Sequence, residues 1–167
     1  MNVPLYSSSY RNLRSSAGFT LIELMVTIAV LAIIVSIAAP NISNQLAKQR
    51  VKSTVSSIES ALKEAKAESI IRRQDITVVY SNADDIITLE DATGNVLSTY
   101  NIASQSTVNQ VITPTTVTEV IFQPNKVMSD GASVTYTVCD SASNNETFRQ
   151  VRLSSIANIN TTTVGSC

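Results

Sequence analysis

A long apolar stretch lies near the amino terminus of the chain, and it constrains the fold more than any other feature of the sequence. From Leu24 to Ala39 only Thr27 and Ser36 are polar. Counted from Phe19, the segment reaches roughly the 20 residues that a helix needs to cross the hydrocarbon core of a membrane. The sequence therefore predicts a membrane-spanning helix at the start of the chain.

Glu23 stands inside this apolar stretch. An ionised carboxylate in a membrane helix costs about 2.5–3.5 kcal/mol on insertion scales and usually persists only with a partner. If the chain were cut between Gly18 and Phe19, the new α-amine would lie about one helical turn from Glu23. The same amine on a neighbouring subunit would neutralise the carboxylate. We therefore predict that Glu23 is an assembly contact between subunits.

The residues Gly18, Phe19 and Glu23 resemble, position for position, the class III signal of type IV prepilins and pseudopilins. In that family a prepilin peptidase cuts after the glycine and N-methylates the phenylalanine. The resemblance implies that residues 1–18 are a cleaved leader, with cleavage after Gly18 and methylation of Phe19.

Two other interpretations of the segment remain. One is a secretory signal peptide, with Arg11 and Arg14 as its positive region, although the apolar core of such a peptide is usually about 7–15 residues long. The other is a plain membrane anchor. If the segment spans the membrane, as a prepilin helix or as a plain anchor, the two arginines stay in the cytoplasm and everything after Pro40 lies outside it. The resemblance implies a single-pass protein of the inner membrane with a periplasmic domain, which later enters a pilus or pseudopilus fibre.

Beyond the predicted span (residues 19–40), the sequence becomes amphipathic. Pro40 removes a backbone donor and bends or ends a helix. Residues 41–74 then repeat apolar or small side chains at spacings of four and three, which predicts a helix packed on a sheet of the same chain. The stripe consists of Val51, Val55, Ile58, Leu62, Ala65 and Ser69. Glu59 and Lys63 are spaced for an i,i+4 ion pair.

From Asp75 onward the pattern becomes extended and rich in Thr, Val and Ile, as is typical of strands. We predict a β-rich head over residues 75–167 and an α+β fold, in which the long N-terminal helix packs on an antiparallel sheet. The predicted strands are Ile76–Tyr80, Ile86–Leu89, Val96–Tyr100, Val108–Ile112, Val117–Phe122, Ser133–Cys139, Phe148–Ser154 and Ile159–Val164.

The composition argues against enzymatic activity. The chain has no His and two Cys, so it lacks the usual general base and the usual metal ligands. The acidic pairs Asp84-Asp85 and Glu90-Asp91 lie beside turn-forming residues, and we interpret them as solvated loop tips. We expect no enzyme, no cofactor, no metal site and no small-molecule substrate. Without the leader the chain is mildly acidic, so no general attraction to nucleic acid follows.

Cys139 and Cys167 are the only thiols, and both lie in the part expected outside the cytoplasm. We therefore predict a disulfide between them. Two unpaired thiols, or a bond to another subunit, are the alternatives.

The second half of the chain resembles the GspH/FimT group of minor pilins and pseudopilins. The resemblance rests on the Phe-x-Pro turn at Phe122, the strand that ends in Cys139, the Arg-x-Val-x-Leu-Ser pattern from Arg149, and the terminal Cys167. It implies a minor type IV pilin, a structural subunit that inserts in the pilus or primes its assembly. The implied partners are prepilin peptidase, other major and minor pilins, and the inner membrane. A minor pseudopilin of type II secretion is an alternative.

DNA binding for uptake is a further alternative, because some members of the FimT branch carry a basic Gly-Arg motif near the C-terminus. Here Ala157 and Asn158 occupy that region, which counts against it. Arg149 and Arg152 are the candidate nucleic-acid-binding residues, yet a spacing of three places them on opposite faces of a strand. Arg50 and its neighbouring lysines lie just outside the predicted span, where we expect them to meet lipid head groups.

Overall fold

The computed structural model describes residues 18–142, 148–165 and 167, and for residues 38–41 it describes the backbone only. One long helix is followed by eight strands within the described residues. The elements are α1 (Leu21–Arg72), β1 (Ile76–Ser81), β2 (Ile86–Asp91), β3 (Val96–Asn101), β4 (Ser106–Thr113), β5 (Val120–Phe122), a short 3-10 turn (Ser129–Gly131), β6 (Ser133–Asp140), β7 (Phe148–Leu153) and β8 (Ile159–Val164).

The chain divides into two compact units, residues 1–39 and residues 40–167. The first unit contains the apolar start of α1. The second contains the rest of α1 and all the strands, and it is called the head below. The α+β fold predicted from the sequence is confirmed.

In the head, the strands form two four-stranded antiparallel sheets instead of the one sheet that we predicted. Sheet A has the order β3-β2-β1-β5, and sheet B has the order β4-β6-β7-β8. β1, β2 and β3 form the predicted meander, with Ile76 opposite Asp91 and Ile86 opposite Asn101. β5 returns to pair with β1, and β4 passes to the second sheet, where it pairs with β6 along its full length.

Every strand except β8 differs from its predicted bounds by at least one residue, and two of these differences change the interpretation of a segment. β5 begins at Val120 instead of Val117, because the amide of Val117 closes a turn on the carbonyl of Pro114 at 3.0 Å. β2 continues through Asp91, so Glu90 and Asp91 are strand residues and not a loop tip. The Asp91 carboxylate accepts the amides of Thr93 at 2.8 Å and Asn95 at 3.0 Å, and these bonds organise the turn that follows.

The amphipathic part of α1 supplies one side of the core. The predicted stripe is confirmed, since all six of its residues are buried. Ala47, Thr54 and Ala61 are buried as well, and sequence reasoning missed them. Both sheets contribute to the same core, whose fully buried strand side chains include Ile76, Ile87, Leu89, Val120, Phe122, Val134, Tyr136 and Leu153.

Two helix carboxylates fasten α1 to the outermost strands of the two sheets. Glu64 accepts hydrogen bonds from Ser98 and Tyr100 on β3. Glu59 accepts a hydrogen bond from Thr161 on β8 and pairs with Lys63 at 2.9 Å, as its spacing predicted. Since β3 and β8 are edge strands of sheets A and B, the helix holds one edge of each sheet through a charge-assisted hydrogen bond.

These contacts predict that the head loses stability in acid. The hydrogen bond from Thr161 lowers the pKa of Glu59, and the bonds from Ser98 and Tyr100 lower that of Glu64. A carboxylate with a depressed pKa in the folded state stabilises above its unfolded pKa of about 4.3, and that stabilisation is lost as the pH falls through the folded pKa. We therefore expect the free energy of unfolding to drop between about pH 5 and pH 3.

The test measures the free energy of unfolding of the full chain in mild detergent at several pH values. Glu64→Gln should show a shallower pH dependence than the wild type, because its side chain no longer titrates. The variant carrying both Ser98→Ala and Tyr100→Phe keeps the carboxylate but removes both of its donors, and it should be shallower too. An unchanged slope in both variants would contradict the assignment.

Candidate assembly interface

The first unit of the chain presents an apolar helical surface that the other described residues leave exposed. Its large aliphatic residues from Leu21 to Ile37 are exposed, with Leu21 at 77% and Ile37 at 67%. Soluble monomers rarely expose contiguous apolar surface on this scale, which marks it as a surface for lipid or for other helices. Within the described residues, no single helix is both long enough and apolar enough to cross a membrane. The bent pair Leu21–Ile37 and Ile42–Arg72 has a sufficient length and composition when the two segments are taken together.

Glu23 lies in the first turn of α1. Its carboxylate accepts hydrogen bonds from the backbone amide and the hydroxyl of Thr20, both at 3.0 Å, and the Thr20 hydroxyl accepts the amide of Glu23 at 3.2 Å. This reciprocal arrangement is the capping box of a helix N-terminus. The carboxylate is therefore held at the beginning of the apolar surface by its own chain, and it remains exposed.

Gly18 and Phe19 precede the first turn of the helix. Both are exposed, Phe19 at 84%, and a Cβ placed on Gly18 would meet nothing within 4 Å. The peptide bond between these residues is thus on the surface of the chain and outside regular structure.

Arg50 makes a contact that sequence reasoning missed. Its guanidinium binds the Asp140 carboxylate through two hydrogen bonds, from Nε at 2.5 Å and from Nη2 at 3.0 Å. The Asp140 side chain is fully buried, and it also accepts the amide of Ala142 at 2.9 Å. The hydrogen bond from Arg50 holds the pKa of Asp140 below its usual range. A separation of 90 residues leaves no sequence signal for this ion pair.

The two candidate DNA-binding arginines do not form one patch. β7 alternates its side chains between the two faces of sheet B, so Arg149 and Arg152 lie on opposite faces. Arg152 is exposed and donates to Gln150 at 2.9 Å. The positive charge of Arg149 instead contributes to the lowering of the pKa of Glu59. Ala157 is buried with a φ of 52° where the FimT motif would bring glycine, and Asn158 follows it.

Cys139 and Cys167 form the predicted disulfide, which ties the last residue of the chain to the end of β6. The described residues contain no group of three or more carboxylate or cysteine side chains placed to hold a metal ion. The acidic turn at Asp84 and Asp85 is held by a hydrogen bond from Ser81 to Asp84 at 2.7 Å.

Removal of the disulfide should lower the stability of the head substantially. The two cysteines are 28 residues apart, for which the loop-entropy relation gives about 3.6 kcal/mol. We expect the variant carrying both Cys139→Ser and Cys167→Ser to lose about that much free energy of unfolding. Reductant provides the matched control: it should lower the stability of the wild type to that of the variant and leave the variant unchanged. A variant as stable as the oxidised wild type would contradict the prediction.

Comparison with known proteins decides the family. The model of the prokaryotic N-terminal methylation motif matches residues 13–39, and the model of the type II transport protein GspH matches residues 54–157. The chain belongs to the GspH family. The GspH match covers most of the head, and the methylation motif covers the apolar segment with Gly18, Phe19 and Glu23. The family resemblance read from the sequence is thereby confirmed.

Individual relatives of this GspH-family chain are pilus proteins. Two proteins of Pseudomonas aeruginosa described as fimbrial proteins are each 38% identical over 64 residues, which is 38% of this chain. The aligned part spans only 41% of the length of these relatives. Their identity therefore supports a similarity of one segment, and what the whole relatives do does not transfer with it.

Solved structures show the fold. The type IV minor pilin FimU of Pseudomonas aeruginosa, strain PAO1, matches in two crystal forms with TM-scores of 0.57 and 0.54. The sequence identities are 16% and 15%, and the matches cover 72% and 70% of this chain and 96% and 98% of the FimU chains. The head of this GspH-family chain thus has the fold of a minor pilin.

Proposed function

We propose that the chain is a minor type IV pilin, a structural subunit that enters the pilus or primes its assembly through its N-terminal helix. The observation that carries the proposal is the presence in one chain of an N-terminal methylation motif, an exposed apolar helix and a head with the minor-pilin fold. The GspH family assignment agrees with it. The GspH model is described by a type II transport protein, whereas the solved structures and the curated relatives are a minor pilin and fimbrial proteins, which favours a pilin over a secretion pseudopilin. No observation on the described residues favours a DNA-binding pilin.

In this proposal prepilin peptidase cuts after Gly18 and methylates Phe19. The exposed position of both residues before α1 supports access by the peptidase. Residues 19–40 then hold the subunit in the inner membrane, with the head in the periplasm, and the same apolar surface later packs against the helices of other pilins. The disulfide suits an oxidising compartment.

Glu23 determines the axial position that an incoming subunit takes beside its neighbours in this assembly. Its carboxylate is exposed at the beginning of the apolar surface, so a neighbouring subunit can reach it. The α-amine of Phe19 exists only after cleavage, and its charge complements the carboxylate. A pairing between these groups on adjacent subunits would favour one axial position over others, since a shifted helix leaves both charges unpaired in an apolar environment.

The experiment that tests the function combines intact-mass measurement with fibre analysis. The mature protein should begin at Phe19 and carry one additional methyl group, and it should be present in sheared, purified pili. Deletion of the gene should reduce surface piliation, while a secretion defect with normal pili would instead indicate a pseudopilin. Loss of transformation with normal pili would indicate DNA uptake.

A further inference from the structure

A polar cleft opens on the side of sheet B that faces away from the core. It has a volume of about 340 Å³ and is called the Arg152 cleft below. Sites for small ligands have volumes of about 300–1,000 Å³, so the cleft has room for one small ligand or for part of a longer one. Its polar lining consists of Ser133, Thr135, Arg152, Ser154, Asn158 and Asn160.

The strand register brings the middle of this lining together. Arg152 on β7 lies opposite Thr135 on β6 and opposite Asn160 on β8. Its neighbours Val151 and Leu153 are buried, so Arg152 points to the opposite side of the sheet. Side chains on neighbouring strands of one face lie about 5 Å apart, which is close enough for one small ligand to contact all three residues.

The turn between β7 and β8 closes one end of the cleft. The amide of Ser154 donates to the carbonyl of Asn158 at 2.9 Å, and the amide of Asn158 donates to the hydroxyl of Ser154 at 3.1 Å. The ammonium group of Lys66 on α1 donates to the carbonyl of Ala157 in the same turn at 2.7 Å. The fold therefore holds this lining in place before a ligand binds, which reduces the entropy that binding costs.

Arg152 gives the cleft a positive charge. Its side chain is exposed, and Nη2 donates to the side-chain oxygen of Gln150 at 2.9 Å. A guanidinium carries five N–H donors in a planar fork, so the bond to Gln150 leaves donors for a ligand. None of the ion pairs found between the described residues includes Arg152, and the lining of the cleft contains no carboxylate. The cleft therefore suits an anionic group, and a carboxylate fits the fork with two parallel hydrogen bonds.

The polar groups around Arg152 are uncharged. The serine and threonine hydroxyls of the lining both donate and accept hydrogen bonds, and so do the side-chain amides of Asn158 and Asn160. Such a lining matches a ligand that is dense in hydroxyl groups, because each ligand hydroxyl also donates and accepts. The apolar residues of the lining, Val134 and Leu153, are buried and offer little surface to an apolar ligand.

The distribution of charge on this side of sheet B argues against a nucleic acid as the ligand. Along the described strands, Arg152 is the only charged residue among the alternate residues that point away from the core. Nucleic acids owe much of their affinity for proteins to contacts with several phosphates, and a single arginine provides only one such contact. A ligand with one acidic group among many hydroxyls fits the surface better than a chain of closely spaced phosphates.

We propose that the Arg152 cleft binds an acidic sugar, such as a uronic acid unit of a polysaccharide. Arg152 would hold the carboxylate of the sugar with two hydrogen bonds, while Thr135 and Asn160 on either side would bind its hydroxyl groups. The site consists of residues of the head alone. It goes beyond the proposed pilin function, because it gives the head an activity of its own, attachment to acidic polysaccharide.

The test measures the binding of a tetramer of galacturonic acid to the purified full-length chain in mild detergent. Equilibrium dialysis of the labelled tetramer gives the dissociation constant, with detergent alone as the blank. The same tetramer with its carboxylates converted to methyl esters is the matched ligand control, since it keeps the hydroxyl groups and loses the charge. The wild type should bind the acidic tetramer about tenfold more tightly than the ester, or better.

Variants of the chain assign the binding to the cleft. Arg152→Gln should weaken binding of the acidic tetramer about tenfold or more, because the charged hydrogen-bond donor is lost. Arg152→Lys keeps the charge but not the planar fork, so its affinity should lie between those of Arg152→Gln and the wild type. Asn160→Ala should weaken binding about threefold. Arg73→Gln is the matched control, because it removes the same group from an exposed position outside the cleft, and it should bind within about twofold of the wild type.

Several outcomes would overturn the inference. They are a wild type that does not bind the acidic tetramer, an ester that binds as tightly as the acid, and equal losses in Arg152→Gln and Arg73→Gln. If acetate displaces the tetramer at equal concentration, the cleft binds carboxylates without recognising a sugar. If single-stranded DNA of four nucleotides binds more tightly and is weakened by Arg152→Gln, the ligand is a nucleic acid. The assay needs neither cleavage nor fibre formation, so its failure leaves the proposed pilin function intact.

Discussion

Glu23→Ala should abolish incorporation of the subunit into pili while leaving insertion and folding intact. We expect at least a tenfold loss of the subunit from sheared fibres, measured by quantitative immunoblot against its level in whole cells. Membrane insertion should not suffer, because removal of a carboxylate from the apolar segment removes a cost of about 2.5–3.5 kcal/mol. The head should keep its disulfide and stability, since Glu23 belongs to the other compact unit.

The structure offers a matched control for this experiment. Within the described residues, the amide and the hydroxyl of Thr20 donate to the Glu23 carboxylate, so Thr20→Ala removes one donor from the carboxylate without removing its charge. If the relevant partner is the amine of a neighbouring subunit, Thr20→Ala should be incorporated nearly as well as the wild type. Glu23→Gln keeps the shape of the side chain but not its charge, and it should fail as Glu23→Ala does.

Two outcomes would change the role of this residue. Normal incorporation of Glu23→Ala would remove Glu23 from the assembly interface. Equal failure of Thr20→Ala and Glu23→Ala would assign the carboxylate to capping of its own helix, because the loss would then follow the capping box and not the charge.

Local patterns in the sequence predicted most of the elements correctly. The stripe from Val51 to Ser69 has helical spacing and is buried as expected, and Ile159–Val164 is a strand with the predicted bounds. These predictions succeed because periodicity is a property of neighbouring residues. Where a short-range turn competes, as at Val117, the extended pattern gives the wrong boundary, because the amide of Val117 bonds to the carbonyl of Pro114 and closes a turn before the strand begins.

Pairing between distant elements could not be predicted. Nothing in the sequence indicates that β5 pairs with β1 or that β4 passes to a second sheet with β6, because strand patterns specify faces and not partners. The residues of the candidate site also fall into those that a local pattern predicts and those that only the fold brings together. A local motif predicted Gly18, Phe19 and Glu23 as site residues, whereas Arg50 and Asp140 come together only through the fold.

This ion pair leads to the second prediction with a large effect. Arg50→Met should lower the free energy of unfolding by about 3 kcal/mol, because removal of one partner leaves a buried charge without its counter-ion. The Asp140 side chain is fully buried, whereas that of Arg50 is 26% exposed. Lys63→Met removes the exposed pair with Glu59 and serves as the control, with an expected loss of at most about 0.5 kcal/mol.

The double variant and the pH dependence separate the ion pair from simple packing. Asp140→Asn in the Arg50→Met background should restore part of the lost stability, since an amide costs less to bury than a carboxylate that has lost its counter-ion. In the wild type, Arg50 depresses the pKa of Asp140, so the pair stabilises above the unfolded pKa of about 3.9 and its contribution disappears as the pH falls.

In Arg50→Met we expect the pKa shift of Asp140 to reverse its direction. Burial without the guanidinium should raise the pKa of Asp140 above its unfolded value, so the folded state binds the proton more tightly and the deficit relative to wild type shrinks as the pH falls. Unfolding of the full chain in detergent, followed by the fluorescence of its tyrosines, measures both curves. Parallel curves for wild type and Arg50→Met would mean that Arg50 stabilises by packing of its aliphatic stem alone, because only a charge interaction makes the difference between the two proteins depend on the protonation of Asp140.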